Sequence, residues 1–270
     1  MWSRGTVALA SAIAVAGGAR AGAYELPFGP NPFAPSAAHT STGELLAPEA
    51  FIPAARCAGC HARVHAQWSE SAHRSSFREP YYQANVHDLI DARGIAATRH
   101  CEGCHNPVAL FTGALSQDAR VARPFDDEGV TCSVCHSIEA ATTAGIGSYV
   151  LAPPALLVTA DGRRIADADD AAIWDDLESH RRAVMRPLLR TPELCGACHK
   201  AAVVPELNGG KWLRSFAVYD EWQGSAFSDE VVQPLTHFYR VSPRAGFFTA
   251  PRHLPLNWLR TASVVRPSSN

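Results

Sequence analysis

Apolar residues along this chain seldom alternate with polar ones, and long Val- and Ile-rich runs are scarce, so the hydrophobic pattern predicts few strands. One apolar run, Val7 to Ala16 with Ser11 its single polar residue, follows the positive charge of Arg4 and is broken by Gly17 and Gly18. It is too short to span a bilayer, and Ala21-Gly22-Ala23 then offers a small-x-small cleavage pattern. Residues 1–23 read as a removable secretory signal with a mature start near Tyr24; the alternative is an uncleaved membrane anchor. The clearest helical periodicity lies in 171–186. There Ile173, Leu177, His180 and Val184 share one face, Asp175, Asp176, Arg181 and Arg182 take others, and Pro187 ends the helix. Across the whole chain, 19 Pro and 19 Gly predict short helices separated by extended loops.

Charge and length narrow the picture. With 24 basic against 26 acidic residues, nucleic acid is excluded as a partner. An exported chain matures in an oxidising compartment, and the periplasm is the expected destination. The chain divides into a signal (1–23), an N-terminal extended segment (24–50), a central domain (51–230) and a tail (231–270). In the tail no acidic residue follows Glu230, while Arg240, Arg244, Arg252, Arg260 and Arg266 accumulate. That change reads as a divergent tail, disordered or frame-shifted, or as a basic extension that docks an acidic partner or membrane surface.

The cysteines decide the chemistry. Eight cysteines in an exported protein would ordinarily mean disulfides, yet every one falls in a C-x-x-C-H unit. The units are Cys57-Ala-Gly-Cys60-His61, Cys101-Glu-Gly-Cys104-His105, Cys132-Ser-Val-Cys135-His136 and Cys195-Gly-Ala-Cys198-His199. Two thiols three positions apart add to the two vinyl groups on one haem edge, and the adjacent His supplies the proximal iron ligand. A structural zinc site has no need of His at the fifth position each time, and a thioredoxin-like pair has no reason to recur. Iron–sulfur ligation would leave the four histidines unexplained. The cofactor expected is therefore haem c, four copies, covalently attached.

Each iron has a second axial position. Methionine is nearly excluded, because Met1 leaves with a signal and only Met185 remains. Of twelve histidines, His39, His65, His73, His87, His100, His180, His237 and His253 lie outside the motifs, so bis-histidine ligation is expected. His180 stands out as an imidazole within an otherwise apolar stripe, where burial demands a partner. His73, just after the first motif, is better spaced for a neighbouring iron than for the one beside His61. His65, one turn after His61, His87, and His100, directly before Cys101, are further candidates; His39, His237 and His253 are weaker on position.

In combination these residues resemble the cytochrome c-554-type multihaem cytochromes, a tetrahaem family related to the hydroxylamine oxidoreductase lineage. The resemblance covers about residues 50 to 230. It rests on Trp68-x-x-Ser71-x-His73 after the first motif, Cys-x-x-Cys-His-Asn-Pro at 101–107, Glu-Gly-Val-Thr-Cys-x-x-Cys-His at 128–136, and His180 fifteen residues before Cys195. It implies closely packed, mostly bis-His haems in a mainly α-helical wrap, periplasmic electron transfer, and distal roles for His73 and His180. Some members keep one iron five-coordinate. The chain departs from the pattern at 219–227, where Trp222 and Ser225 echo Trp68 and Ser71 but Phe227 replaces the His, and no further motif follows.

The fold expected is mainly α with extensive coil, short helices wrapped around a core of four covalently bound haems. Two functions remain open. One is an electron carrier passing single electrons between redox partner proteins, such as other cytochromes or a quinol-linked membrane oxidoreductase. The other is an enzyme on nitrite, hydroxylamine or nitric oxide at an open iron. No Ser/His/Asp set, phosphate loop or carboxylate pair points to other chemistry, and His rather than Lys closes every motif, which leans towards the carrier.

Overall fold

The computed structural model describes residues 26–114, 123, 125–225, 227 and 228. The expected signal at 1–23, the start near Tyr24 and the tail at 231–270 with His237 and His253 lie outside them. Short helices, coil and three small sheets make up the described chain, as the sequence pattern predicts.

Local chemistry sets most boundaries. Helix α1 (Ala54–Ser69) carries the first motif, and its backbone turns out of helical geometry at His61 (φ −111°, ψ 39°). After α2 (Ala72–Ser75), α3 (Pro80–Arg93) starts with Pro at its first position; the Glu79 carboxylate caps the Tyr82 N–H, and Gly94 at φ 80° ends it. Asn106 divides α4 (Arg99–His105) from α5 (Pro107–Phe111) by leaving helical geometry and accepting the Ala109 N–H. This explains the Asn-Pro that follows the second motif. The third motif begins α6 (Cys132–Cys135).

Strand β1 (His39–Thr40) pairs in parallel with β3 (Tyr149–Leu151), and β2 (Ile138–Ala141) flanks β3 antiparallel on its other side. A hairpin of β4 (Leu157–Val158) and β5 (Arg164–Ile165) precedes α7 (Asp170–Asp175) and α8 (Leu177–Val184). The fourth motif begins in α9 (Glu193–Gly196); β6 (Ala201–Val203) and β7 (Leu213–Phe216) form a last hairpin before α10 (Val218–Gln223).

The single helix expected over 171–186 is two. Asp176 leaves helical geometry (φ −137°, ψ 70°) and its carboxylate caps the Ser179 N–H, so a second helix starts where the first was to continue. The expected apolar stripe fails with it. Leu177 is 52% exposed, and the buried face of α8 is Ser179 and Ala183.

The main core gathers Phe33, Ala38 and Phe51 from the N-terminal part, Val108, Leu110 and Phe111 from α5, Val134 from α6, and Ile138, Tyr149 and Leu151 from the sheet. Phe111 packs edge-on against both Phe33 and Tyr149. Two motif helices, α4 and α6, are thereby fixed on one apolar base, with Tyr149 Oη donating to Gly103 O inside the second motif (2.7 Å).

Candidate haem-binding site

Each motif occupies one helical turn, so the two thiols and the following imidazole come from successive positions of one surface. His136 N donates to Cys132 O (3.1 Å) and His199 N to Cys195 O (2.8 Å), closing that turn around the cysteines. The motifs are close neighbours in space. The Cys57 and Cys132 side chains hydrogen-bond each other, as do Cys104 and Cys198, and Cys135 lies beside Cys195 and Cys198. This strings the motifs in the order first, third, fourth, second.

Two of the histidines outside the motifs come to face motif imidazoles. His180 faces His61 with ring centroids 6.4 Å apart and planes at 17°, and His73 faces His199 at 6.1 Å and 73°. Two imidazoles sharing one metal at about 2 Å per bond put their centroids about 6 Å apart, so both gaps match an iron. Burial, with His199 nearby, lowers the His73 pKa to about 4, and burial lowers those of His105, His136 and His199; rings held neutral are the metal-binding form.

The ring nitrogens are also oriented. His180 Nδ1 donates to Leu156 O (2.7 Å), His136 Nδ1 to Val184 O (2.6 Å) and His105 Nδ1 to Ser76 O (2.9 Å). A carbonyl can only accept, so Nδ1 carries a proton in each and Nε2 is the nitrogen left to face a metal, the second-shell arrangement of metal-bound imidazole. Among the described residues no three His, Cys, Asp or Glu side chains converge as a bare ion site would. The donor set fits haem: paired thiols on one turn, an imidazole beside them, and two further imidazoles across an iron-sized gap.

The segment around His73 shows why its sequence is so specific. Ser71 Oγ donates to Trp68 O (2.7 Å) and accepts the Arg74 N–H, opening α2. Trp68 Nε1 donates to Val130 O and Val130 N to His73 O, both at 2.9 Å. Gly129, at φ 51°, lies so close that a Cβ there would collide with the His73 carbonyl and the Ser76 hydroxyl. The Glu128 carboxylate accepts the Ala54 N–H and the Thr131 hydroxyl (2.6 Å), joining the start of α1 to the third motif. Glu-Gly-Val-Thr is thus a clamp on both the first motif and the His73 turn.

The other candidates are placed differently. His65 packs on Trp68 at 5.5 Å. His87 lies on α3 with Nε2 buried and without a hydrogen-bond partner. His100 sits against the backbone of Pro35 and Ala202, and exposed His39 bonds Ala37 O. None of these four packs against a motif imidazole as His73 and His180 do.

Sequence reasoning missed the surroundings of His105. Tyr82 stacks on its ring (3.9 Å between centroids, 6° between planes). Glu102, between the two cysteines of this motif, is buried beside Tyr82, Arg123 and Asp126. Burial raises its pKa, Arg123 opposes and Asp126 adds to the rise, and the net is about 8. Asp126 accepts Arg123 Nε (3.0 Å) and Asn106 Nδ2 (2.7 Å), and Arg123 lies over the Phe77 ring. An acid between two motif cysteines was the available signal.

Among known proteins, residues 56–137 match the family described as cytochrome c554 and c-prime. No curated protein matches the chain. Among solved structures, the penta-heme cytochrome c552 from Thermochromatium tepidum is similar at 19% identity and a TM-score of 0.46, over 74% of this chain; the chain spans 56% of that cytochrome's length. The family match spans the first, second and third motifs together with the Trp68–His73 turn and its Glu128–Thr131 clamp, and over that stretch this chain is similar to the cytochrome c554 family.

Proposed function

We propose that this chain is a periplasmic electron carrier holding four haems, with His61/His180 and His199/His73 as axial pairs. Electron transfer is the general role of the family, and the observation carrying the finer reading is the pair of facing imidazole couples. Cys57, Cys60, Cys101, Cys104, Cys132, Cys135, Cys195 and Cys198 would form the thioethers, and His61, His105, His136 and His199 the proximal ligands. Once attached, haem supplies reversible one-electron chemistry at iron, its potential set by axial ligand, hydrogen bonding and burial.

The chain's own part is spacing and tuning. Its motifs follow one another first, third, fourth, second, so the first and second are the ends at which redox partner proteins would exchange electrons. Other cytochromes or a quinol-linked membrane oxidoreductase fit that role. Among the described residues no helix is long and apolar enough to cross a membrane. Neutral imidazoles bonded to carbonyls are electron-rich ligands, which favours the ferric state and keeps potentials low.

A second reading has its own observation. Among the described residues no imidazole faces His105 as His180 faces His61; its ring neighbour is Tyr82, with the buried acid Glu102 alongside. An iron held there with an open sixth position would serve an enzyme acting on nitrite, hydroxylamine or nitric oxide.

Intact mass and haem quantitation on protein from a host able to attach haem test the proposal. It expects four haems per chain and a mature mass starting near Tyr24; fewer haems, or an uncleaved N-terminus, would refute those parts. Optical titration with nitric oxide then separates the readings: no spectral change supports the carrier, and saturable binding at one haem supports the enzyme.

A further inference from the structure

Two short helices each touch two motifs, and they do so in the same way. Helix α8 places His180 opposite His61 of the first motif, and four residues later its last carbonyl, Val184 O, accepts His136 Nδ1 of the third (2.6 Å). Helix α2 places His73 opposite His199 of the fourth motif, and three residues later Ser76 O, just past the helix end, accepts His105 Nδ1 of the second (2.9 Å). Carbonyls at a helix C-terminus lack intrahelical partners and sit at the negative end of the dipole, so they are strong acceptors for an imidazole N–H.

The pairs so joined, first with third and second with fourth, are the motifs whose side chains Cys57 and Cys132, and Cys104 and Cys198, touch. Both helices are fixed from outside. Ser179 Oγ and Arg182 Nε both bond Val158 O on β4, at 2.7 and 3.1 Å. At the end of α2, the Ser76 hydroxyl bonds the carbonyls of both His73 (2.9 Å) and His105 (2.7 Å), and His73 O also accepts Val130 N.

We infer that α8 and α2 are brackets that couple haem centres in pairs, each giving a distal ligand to one iron and the Nδ1 acceptor to the proximal ligand of its neighbour. Movement of either bracket alters two centres together. Loss of the carbonyl leaves the neighbour's imidazole less electron-rich, so that neighbour is reduced more easily. The inference rests on reading His61/His180 and His199/His73 as axial pairs.

The test is a potentiometric titration of the holoprotein followed by EPR, comparing His180→Ala, His180→Met and Ser76→Ala with wild type. In His180→Ala one centre becomes high-spin and a second shifts upward by about tenfold in its reduction equilibrium, about 59 mV for one electron. In His180→Met a ligand remains, so the first centre's potential rises while the second keeps its wild-type value. Ser76→Ala removes one hydroxyl and is expected to move two centres, neither of them altered in His180→Ala. Change confined to one centre in His180→Ala, or spread over all four, overturns the brackets while leaving the axial pairs standing. No change of spin state in His180→Ala overturns the axial pairing itself. Should His180→Ala not fold, Ser76→Ala decides: one shifted centre or four refutes the inference.

Discussion

The first and second motifs share a signature and differ in everything around it. His61 has His180 across an iron-sized gap, in a segment where the flanking residues are solvated. His105 has a tyrosine stacked on its ring and lies beside a buried cluster of Glu102, Arg123, Asp126 and Asn106. The difference teaches that C-x-x-C-H specifies attachment only. What the attached centre becomes depends on neighbours contributed by other helices, α8 far along the chain in one case and α3 just before the motif in the other.

The largest effect should not distinguish the two sites. Protein made without haem attachment is expected to lose its helical circular dichroism and resist protease poorly at every motif, because binding and folding are linked. Retained native-like helicity without haem would separate the fold from the cofactor.

Gly129→Ala should separate the sites sharply. A Cβ at φ 51° would drive against the His73 carbonyl, so a loss of about 2–3 kcal/mol in denaturant unfolding is expected, with the His73/His199 centre disturbed and the His61/His180 centre spared. Equal disturbance of both centres would undo the comparison.

Glu102→Gln addresses the buried acid. Its pKa is higher folded, about 8, than unfolded, so the folded state holds the proton more tightly and stability falls as pH rises from about 4.5 through 8. The Gln variant should flatten that decline, a gain on the order of 2 kcal/mol above pH 8. A variant whose stability falls over the same window as wild type would place the titrating group elsewhere. Tyr82→Leu removes the stacked ring and should cost about 1 kcal/mol, with spectral change confined to the second-motif centre. Trp68→Phe, which loses one hydrogen bond to Val130 O, should cost about 1 kcal/mol in thermal unfolding.

The helical, loop-rich fold was legible because Pro, Gly and the scarcity of alternating apolar residues act locally. His73 and His180 were singled out from local patterns as well, a short capped turn in one case and a helical face in the other. The stripe that singled out His180, however, was the wrong one, since Asp176 starts a new helix and turns Leu177 to solvent. Carbonyl acceptors such as Val184 O and Ser76 O carry no side-chain signal, so no sequence pattern could reveal them. Tyr82 and Glu102 needed the fold, because their meaning comes from α3 folding over α4. The echo at 219–227 is structural as well: Ser225 Oγ donates to Trp222 O (2.6 Å) as Ser71 Oγ does to Trp68 O, while Phe227 takes the place of the histidine.

The most direct test of the two axial pairs is low-temperature EPR of the fully oxidised wild-type holoprotein. The account predicts at least two distinct low-spin ferric signals. One is rhombic, from imidazole planes nearly parallel at 17°, and one is strongly anisotropic, from planes nearly perpendicular at 73°. A spectrum with only high-spin iron, or with a single low-spin species for all centres, would contradict it.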